Sequence, residues 1–264
     1  MIHLSAYIVT LNEQERLGRT LEALCQVADE IIIVDSGSTD KTEEIAQKYG
    51  ARFMFHPWKN ISAQKHFAQE QCQNEWVLSL DADEVLSPAL MEEIKKIKEN
   101  PEADAYRMRI GDMFPGFKKP RKWTRKYNLV RLYNRHKATM PDDLTHDRVV
   151  RFDGCRVEQL KNEIYHYSYL SLSQTWYKYN MYTDELVKTA LATGKNYSKV
   201  RLITEFPYQF FRYYFVRRYI FNGTWGLVMA MTLAYFRFLK ISKFFEYKML
   251  SAEKSLPPSN DEAL

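Results

Sequence analysis

The chain is predicted to be an α/β protein: a mostly parallel central sheet with flanking helices, followed by a helical C-terminal extension. Three observations carry this. In the first hundred residues short apolar runs alternate with amphipathic stripes across short polar connections, as repeated βα structure requires. Two apolar runs end in acids, Ile31-Ile32-Ile33-Val34-Asp35 and Trp76-Val77-Leu78-Ser79-Leu80-Asp81-Ala82-Asp83-Glu84. Beyond Ser173 the alternation gives way to helical texture rich in rings and bases.

Taken in order, Leu4 to Thr10 reads as a strand and Glu13 to Gln26 as a helix with Leu17, Leu21 and Leu24 on one stripe. Ile31 to Val34 is a short buried strand. Ser38 or Thr39 is placed to cap a helix from Lys41 to Tyr49, which Gly50 ends. Ala51 to Phe55 resumes extension, Ser62 to Gln71 is helical, and Glu75 to Leu80 delivers the paired acids. Ser87 and Pro88 open a helix over Ala89 to Glu99. Tyr106 to Ile110 and Asn128 to Tyr133 read as strands flanking the basic loop Lys118-Lys119-Pro120-Arg121-Lys122. An irregular stretch leads to Thr145-His146-Asp147, and Tyr165-His166-Tyr167-Ser168-Tyr169 closes this mixed region. The expected organisation is a domain over 1–170 with halves 1–100 and 101–170, a helical extension over 171–250 broken near Gly194 and Pro207, and a flexible tail over 251–264.

The 264 residues suffice for a substantial core, and a 45% apolar content argues against a disordered or fibrous chain. Net charge is +5, but Arg201 to Lys248 holds eight Lys or Arg against two Glu. That asymmetry suits anionic lipid headgroups better than a nucleic acid, so no nucleic-acid partner is expected. Cys25, Cys72 and Cys155 lack pair spacing, which excludes a disulfide scaffold or thiolate zinc site. Met1-Ile2-His3-Leu4-Ser5 does not begin as a secretory signal, which places the chain on the cytosolic side. Ile220 to Phe236 is uncharged but only as long as the shortest bilayer spans, and Arg212, Arg217, Arg218, Arg237, Lys240 and Lys243 border it. An interfacial helical pair is the preferred reading of this tail. Spanning, or packing against the first domain or a twin subunit in a homo-oligomer, remains open here.

In an open parallel sheet active groups gather at the carboxyl ends of the strands. Thr10 to Glu13, Asp35 to Asp40, Gln64-Lys65 and Asp81 to Glu84 are therefore expected to converge. Asp81 and Asp83, one residue apart on an extended chain, would point to one side and hold a divalent cation that a diphosphate also needs. A nucleotide-sugar site is the leading reading. No GxSxG elbow, phosphate loop ending in Lys-Ser or Lys-Thr, or GxGxxG fingerprint offers a rival.

Tyr7-Ile8-Val9-Thr10-Leu11-Asn12-Glu13, Val34-Asp35-Ser36-Gly37-Ser38-Thr39-Asp40 and Leu80-Asp81-Ala82-Asp83-Glu84 together resemble the signature set of the family 2 glycosyltransferases, inverting, metal-dependent enzymes of GT-A fold. Within that family the chain is similar to bacterial enzymes that add a sugar, often glucose, to the lipopolysaccharide inner core. Pro207, Phe211, Tyr214, Asn222-Gly223 and Gly226 extend the likeness past the first domain. The resemblance implies Mg²⁺ or Mn²⁺ held by Asp83 most directly, with Asp81 beside it addressing ribose or metal-bound water. It implies His166 as a third metal ligand, although a histidine among rings also reads as a structural hydrogen-bonder. Asp35 would recognise the base and ribose, where many relatives carry two adjacent aspartates and this chain has Asp35-Ser36. Asp40 reads more simply as a helix cap.

Thr10 and Glu13 would meet base and ribose, with Glu13 also able to reach a neighbouring Lys. Gln64 and Lys65 would serve the diphosphate, and Arg131 the diphosphate or an anionic acceptor. The general base is implied to be Asp147, beside His146, where the subgroup has a His-Glu pair; Asp142 and Asp143 are rivals. The implied reaction moves a hexose from UDP-glucose to a heptose of a lipid-linked saccharide, at the inner face of the bacterial inner membrane, with the enzyme peripherally attached. The alternatives are transfer to a polyprenyl phosphate or a capsular or protein-linked glycan, and a non-catalytic sugar-nucleotide-binding membrane module.

Overall fold

The computed structural model describes residues 1–142 and 148–254. Strands β1 (Leu4–Thr10), β2 (Glu30–Asp35), β3 (Arg52–Phe55) and β4 (Trp76–Asp81) run parallel in the order β3-β2-β1-β4. Their near-continuous apolar runs follow from cover on both faces. Leu4, Ala6, Ile8, Ile31, Ile33, Leu78 and Leu80 enter one core cluster, and Tyr7, Ile32, Val34 and Val77 the other. Helices α1 (Leu17–Leu24), α2 (Thr42–Lys48), α3 (Ile61–Glu70) and α4 (Pro88–Glu99) connect or follow these strands. The leucine stripe of α1 and Leu90, Met91, Ile94 and Ile97 of α4 fill the first cluster. Ser87 caps α4, accepting from the Leu90 N–H, with Pro88 at the first helical position.

The rest of the sheet is mixed. After β5 (Glu84–Leu86), strands β6 (Ala105–Asp112), β7 (Tyr127–Asn134) and β10 (Val157–His166) extend the order to β4-β7-β6-β10-β5. β7 is antiparallel to both β4 and β6, β10 is parallel to β6, and β5 is antiparallel to β10. A small ribbon pairs β8 (Ala138–Thr139) with β9 (Val150–Arg151). Gly111 is fixed by close approach, since a Cβ there would meet Pro120 at 2.5 Å.

Local details depart from the sequence reading. Helix α1 starts at Leu17 because Glu13 to Arg16 form a separate turn, with the Glu13 carbonyl accepting from the Arg16 and Leu17 N–H groups. Neither Ser38 nor Thr39 caps α2. The N-cap position, Lys41, makes no side-chain cap bond; Asp40, one residue earlier, accepts from the Thr42 hydroxyl, from the Thr42 N–H at 2.9 Å and from the Gln14 N–H at 3.1 Å. Burial alone would raise the Asp40 carboxyl, but these bonds hold it below its usual range.

Two compact units divide the chain, one comprising Met1–Pro120 with Lys126–Ser168, the other Arg121–Arg125 with the segment from Tyr169 onward. The second unit contains α5 (Leu172–Ala192), α6 (Arg201–Phe211) and α7 (Gly223–Lys254). Its core includes Val187, Ala190, Tyr197, Ile241 and Phe244. Gly194, at φ +67°, ends the first of these helices. Pro207 does not break the second: it lies on the exposed side within Arg201–Phe211, and the helix runs on into a π-helical turn, Arg212–Val216. A 3₁₀ turn, Tyr219–Asn222, then enters α7, and any Cβ on Gly226 would lie 1.8 Å from the Tyr219 carbonyl oxygen. Helix α7 reaches Lys254, past the expected start of a flexible tail. Among the described residues no helix is long and apolar enough to cross a membrane, so the spanning reading of the tail has no support.

Candidate active site

Parallel register brings the acidic strand ends side by side, Thr10 opposite Asp35 and Val9 opposite Asp81. Strand β4 stops at Asp81, and Ala82 and Asp83 turn the chain into β5. The two carboxylates therefore do not share one side of a strand, as their spacing predicts; the turn sends each to its own partners. Asp81 places Oδ1 2.7 Å from Lys65 Nζ and Oδ2 3.2 Å from Arg131 Nη2. Arg131 Nη2 also donates to Glu84 Oε1 at 2.6 Å, while Glu84 Oε2 accepts from the Asp81 N–H. Lys65, Arg131 and Glu84 are all buried. Burial pushes Asp81 up, but Lys65 and Arg131 outweigh it and hold its carboxyl well below the usual range. Glu84 is raised, because its burial exceeds the pull of Arg131.

Asp83 faces a second set. Its Oδ2 lies 3.2 Å from Arg16 Nη1 and its Oδ1 3.5 Å from His166 Nε2. The antiparallel pairing of β5 with β10 sets His166 opposite Glu84, and the pairing of β10 with β6 sets it beside Asp112. His166 Nδ1 is 2.9 Å from Asp112 Oδ1. Burial lowers the His166 pKa, yet its bonds to Asp112 and Asp83 raise it well above the ordinary value. Burial raises Asp83, and His166 and Arg16 reverse this. Arg16 is held in turn by Glu13, donating through Nε at 2.7 Å and Nη2 at 2.6 Å. Glu13 thus meets an arginine three residues on.

The remaining expected residues build the loop after β2. Asp35 is buried and accepts from the Gly37 N–H at 2.8 Å, the Ser38 N–H at 2.7 Å, the Ser38 hydroxyl and the Thr10 hydroxyl at 2.8 Å. Gly37 makes this possible at φ +108°. Gln64, fully buried, donates to Ser36 Oγ at 3.0 Å and to the His56 carbonyl, and meets His56 Nδ1 through Oε1. Both side chains clamp the loop. His146, Asp147 and the rival Asp143 lie outside the described residues. Asp142 is exposed, 3.5 Å from Lys59 Nζ.

A divalent cation requires hard oxygen donors, and manganese also accepts imidazole. Asp83 Oδ1 and His166 Nε2, 3.5 Å apart, approach the roughly 3 Å between adjacent ligands on an ion bound at about 2.1 Å. Asp112 on the far ring nitrogen is the oriented partner that a ligating histidine needs. The fit is one of two donors: Asp81 is engaged by Lys65 and Arg131, and no group of three or more His, Cys, Asp or Glu that could hold an ion occurs among the described residues.

Arg16 and Asp112 were not among the expected site residues, and Glu84 was expected at the site but without a role. The three-residue spacing of Glu13 and Arg16 was a usable signal. Asp112 left none, because only strand pairing brings it to His166.

The model of the Glycosyl transferase family 2 matches residues 5–162. An uncharacterised glycosyltransferase of Rickettsia conorii is 38% identical over 259 residues, 94% of this chain and 92% of that protein. The lipopolysaccharide core biosynthesis glycosyltransferase LpsC of Rhizobium meliloti is 32% identical over 99% of this chain and 97% of its own. Among solved structures, residues 1–349 of S. aureus TarS in complex with UDP-GlcNAc align with 70% of this chain and 67% of that one, at 16% identity and TM-score 0.46. The family match spans both acidic strand ends and most of the first unit, and the chain belongs to glycosyl transferase family 2, with its α/β GT-A fold.

Proposed function

We propose that this glycosyltransferase moves glucose from UDP-glucose onto a heptose of the lipopolysaccharide inner core, inverting the anomeric carbon. One observation carries the reading: the Asp81-Ala82-Asp83 turn is ringed by Lys65, Arg131, Arg16 and His166, an arrangement suited to a diphosphate. The likeness to LpsC over 99% of the chain supports the acceptor class.

Asp83 and His166 would hold Mg²⁺ or Mn²⁺, with Asp81 behind them; the ion supplies charge neutralisation to the leaving diphosphate. Lys65 and Arg131, fixed by Asp81 and Glu84, would offer the leaving diphosphate donors already held in place. Asp35 and Gln64 hold the loop over 36–40 where the nucleoside would bind. Asp147, beside His146, would take the proton as the acceptor oxygen bonds to the anomeric carbon and the bond to the phosphate oxygen breaks. The enzyme would work peripherally, at the cytosolic face of the membrane carrying the lipid-linked acceptor.

A panel of UDP-, GDP- and ADP-sugars tests this, assayed for nucleotide release with divalent metal or chelator and with heptose-bearing core saccharide. Release of UDP from UDP-glucose, stimulated by metal and acceptor, is the expected result. Nucleotide binding without release under every condition would reduce the chain to a binding module. An Asp147→Asn variant that keeps most of its turnover would point instead to a phosphate acceptor, which needs no strong base.

A further inference from the structure

Helix α6 and the π-turn behind it are amphipathic in the inverted sense. Glu205, Gln209 and Tyr213, spaced four apart on one face, are 4%, 6% and 4% exposed. Val200, Ile203, Pro207, Phe211 and Phe215, spaced three and four apart, form the opposite stripe. Ile203 is 80% exposed, Phe211 57% and Phe215 47%, with Tyr208 beside them at 60%. On the polar side Arg201 donates twice to Glu205 at 2.8 and 2.6 Å, Gln209 Nε2 donates to Glu205 at 3.0 Å while Gln209 Oε1 has no hydrogen-bond partner among the described residues, Arg237 Nε of α7 donates to the Tyr213 hydroxyl at 3.4 Å, and Arg217 stands 4.9 Å over the Tyr213 ring. A helix that turns polar groups inward and large apolar groups outward is built for an apolar medium outside.

We propose that this outward stripe, from Val200 to Phe215 and on to the exposed Ile220 and Phe221, is the surface by which the enzyme lies in an anionic lipid interface. Charge favours lipid over a second copy. Arg212, Arg217 and Arg218 stand at the C-terminal end of the stripe, and Arg201 to Lys248 carries eight basic residues against two acidic. Two copies would bring like charge together, whereas anionic headgroups neutralise it. Residues 255–264, with two prolines, Asp261 and Glu262, are chemically unsuited to cover an apolar stripe. No described helix can span, so the contact lies along the surface. Trp123, 61% exposed and flanked by Lys122 and Arg125, belongs to the same unit and adds the aromatic-basic composition of a membrane interface. The inference deepens the lipid-linked acceptor reading but stands on the helix itself, so vesicle binding and sugar transfer can fail separately.

The test is co-sedimentation of the full chain with phosphatidylcholine vesicles, alone or mixed with phosphatidylglycerol, at low and high salt. Wild type should bind the anionic vesicles, and paired Ile203→Glu and Phe211→Glu should lower the bound fraction at least about tenfold, by placing charge in the buried face. Arg212→Gln with Arg218→Gln should weaken binding to anionic vesicles alone, by about fivefold per charge at low salt. Both glutamate positions are exposed, and a paired serine variant at the same sites repeats the test should the glutamates alter thermal unfolding.

Absence of wild-type binding to either vesicle, or full binding by both paired variants, overturns the proposal. A wild-type dimer in sedimentation velocity that the glutamate pair converts to monomer would give the stripe to a second copy. UDP release with a water-soluble acceptor, read on the same samples, should be equal in wild type and the glutamate pair. Its absence from both would sink the transfer reading and leave the vesicle result standing.

Discussion

Two buried polar networks organise this protein, and they differ in where they end. In the first unit, Lys65, Arg131 and Glu84 lie inside, and the network opens at Asp81, whose side chain is 33% exposed. In the second unit, Glu205, Gln209 and Tyr213 lie inside, their bonds run along α6 and from Tyr213 to Arg237 of α7, and what they determine is on the opposite face, where Ile203 and Phe211 meet the surroundings. Burial of charge marks the candidate site in one place and an inverted surface in the other. The distinguishing feature is the outlet of the network, not the burial itself.

The largest expected effect comes from breaking the first network at its centre. Arg131→Met leaves Asp81 and Glu84 without their shared guanidinium and should cost about 3–5 kcal/mol in denaturant unfolding. A loss below about 1 kcal/mol would show that these acids simply take up protons or find water. Beside the network's outlet, Asp83→Asn should cut UDP release by about 10²–10³-fold while leaving the unfolding midpoint nearly unchanged, on the scale of losing one oriented electrostatic contact. Equal turnover would remove Asp83 from the chemistry. Next, Asp112→Asn should weaken manganese binding by about 10–100-fold, read by titration monitored through Mn²⁺ spin resonance; unchanged affinity would mean that His166 is no ligand or needs no orientation. The smallest effect belongs to the second network. Glu205→Leu should cost only about 1–2 kcal/mol, because Arg201 is partly exposed and turns to water, leaving Gln209 short of one acceptor. A loss as large as that of Arg131→Met would erase the contrast drawn between the networks.

Much of the first unit is legible in the chain. Strand β1 occupies the expected Leu4–Thr10, the acid-ended runs are β2 and β4, and Ser87 with Pro88 opens α4. These features depend on residues adjacent in sequence, where alternation, capping and apolar runs act locally. The ten-residue strand β10 was recognised only at its last aromatic residues, because Glu158, Lys161 and Glu163 give it no apolar alternation. It is held by pairing with β6 and β5, partners just over fifty and about eighty residues away.

The same division runs through the site. The places of Thr10, Glu13, Asp35, Asp81 and Asp83 near the strand ends follow from the sequence, since parallel strands deliver their carboxyl ends to one edge, whereas Gln64 and Lys65 on α3, Arg131 within the antiparallel β7 and His166 were expected from the family resemblance. Their pairings follow from neither. Asp35 and Gln64 turn inward to hold a loop, Lys65 and Arg131 converge on Asp81, and Asp112 reaches His166 across two strands.

By itself, then, the sequence determined the parallel half of the sheet, the acids that end its strands and the helical, basic and ring-rich character of the C-terminal unit. Only the tertiary structure decided which cation each acid meets and which side of α6 is left outside. Periodicity records that a helix has two unlike faces. Which one is covered depends on the surfaces that distant parts of the chain bring to it.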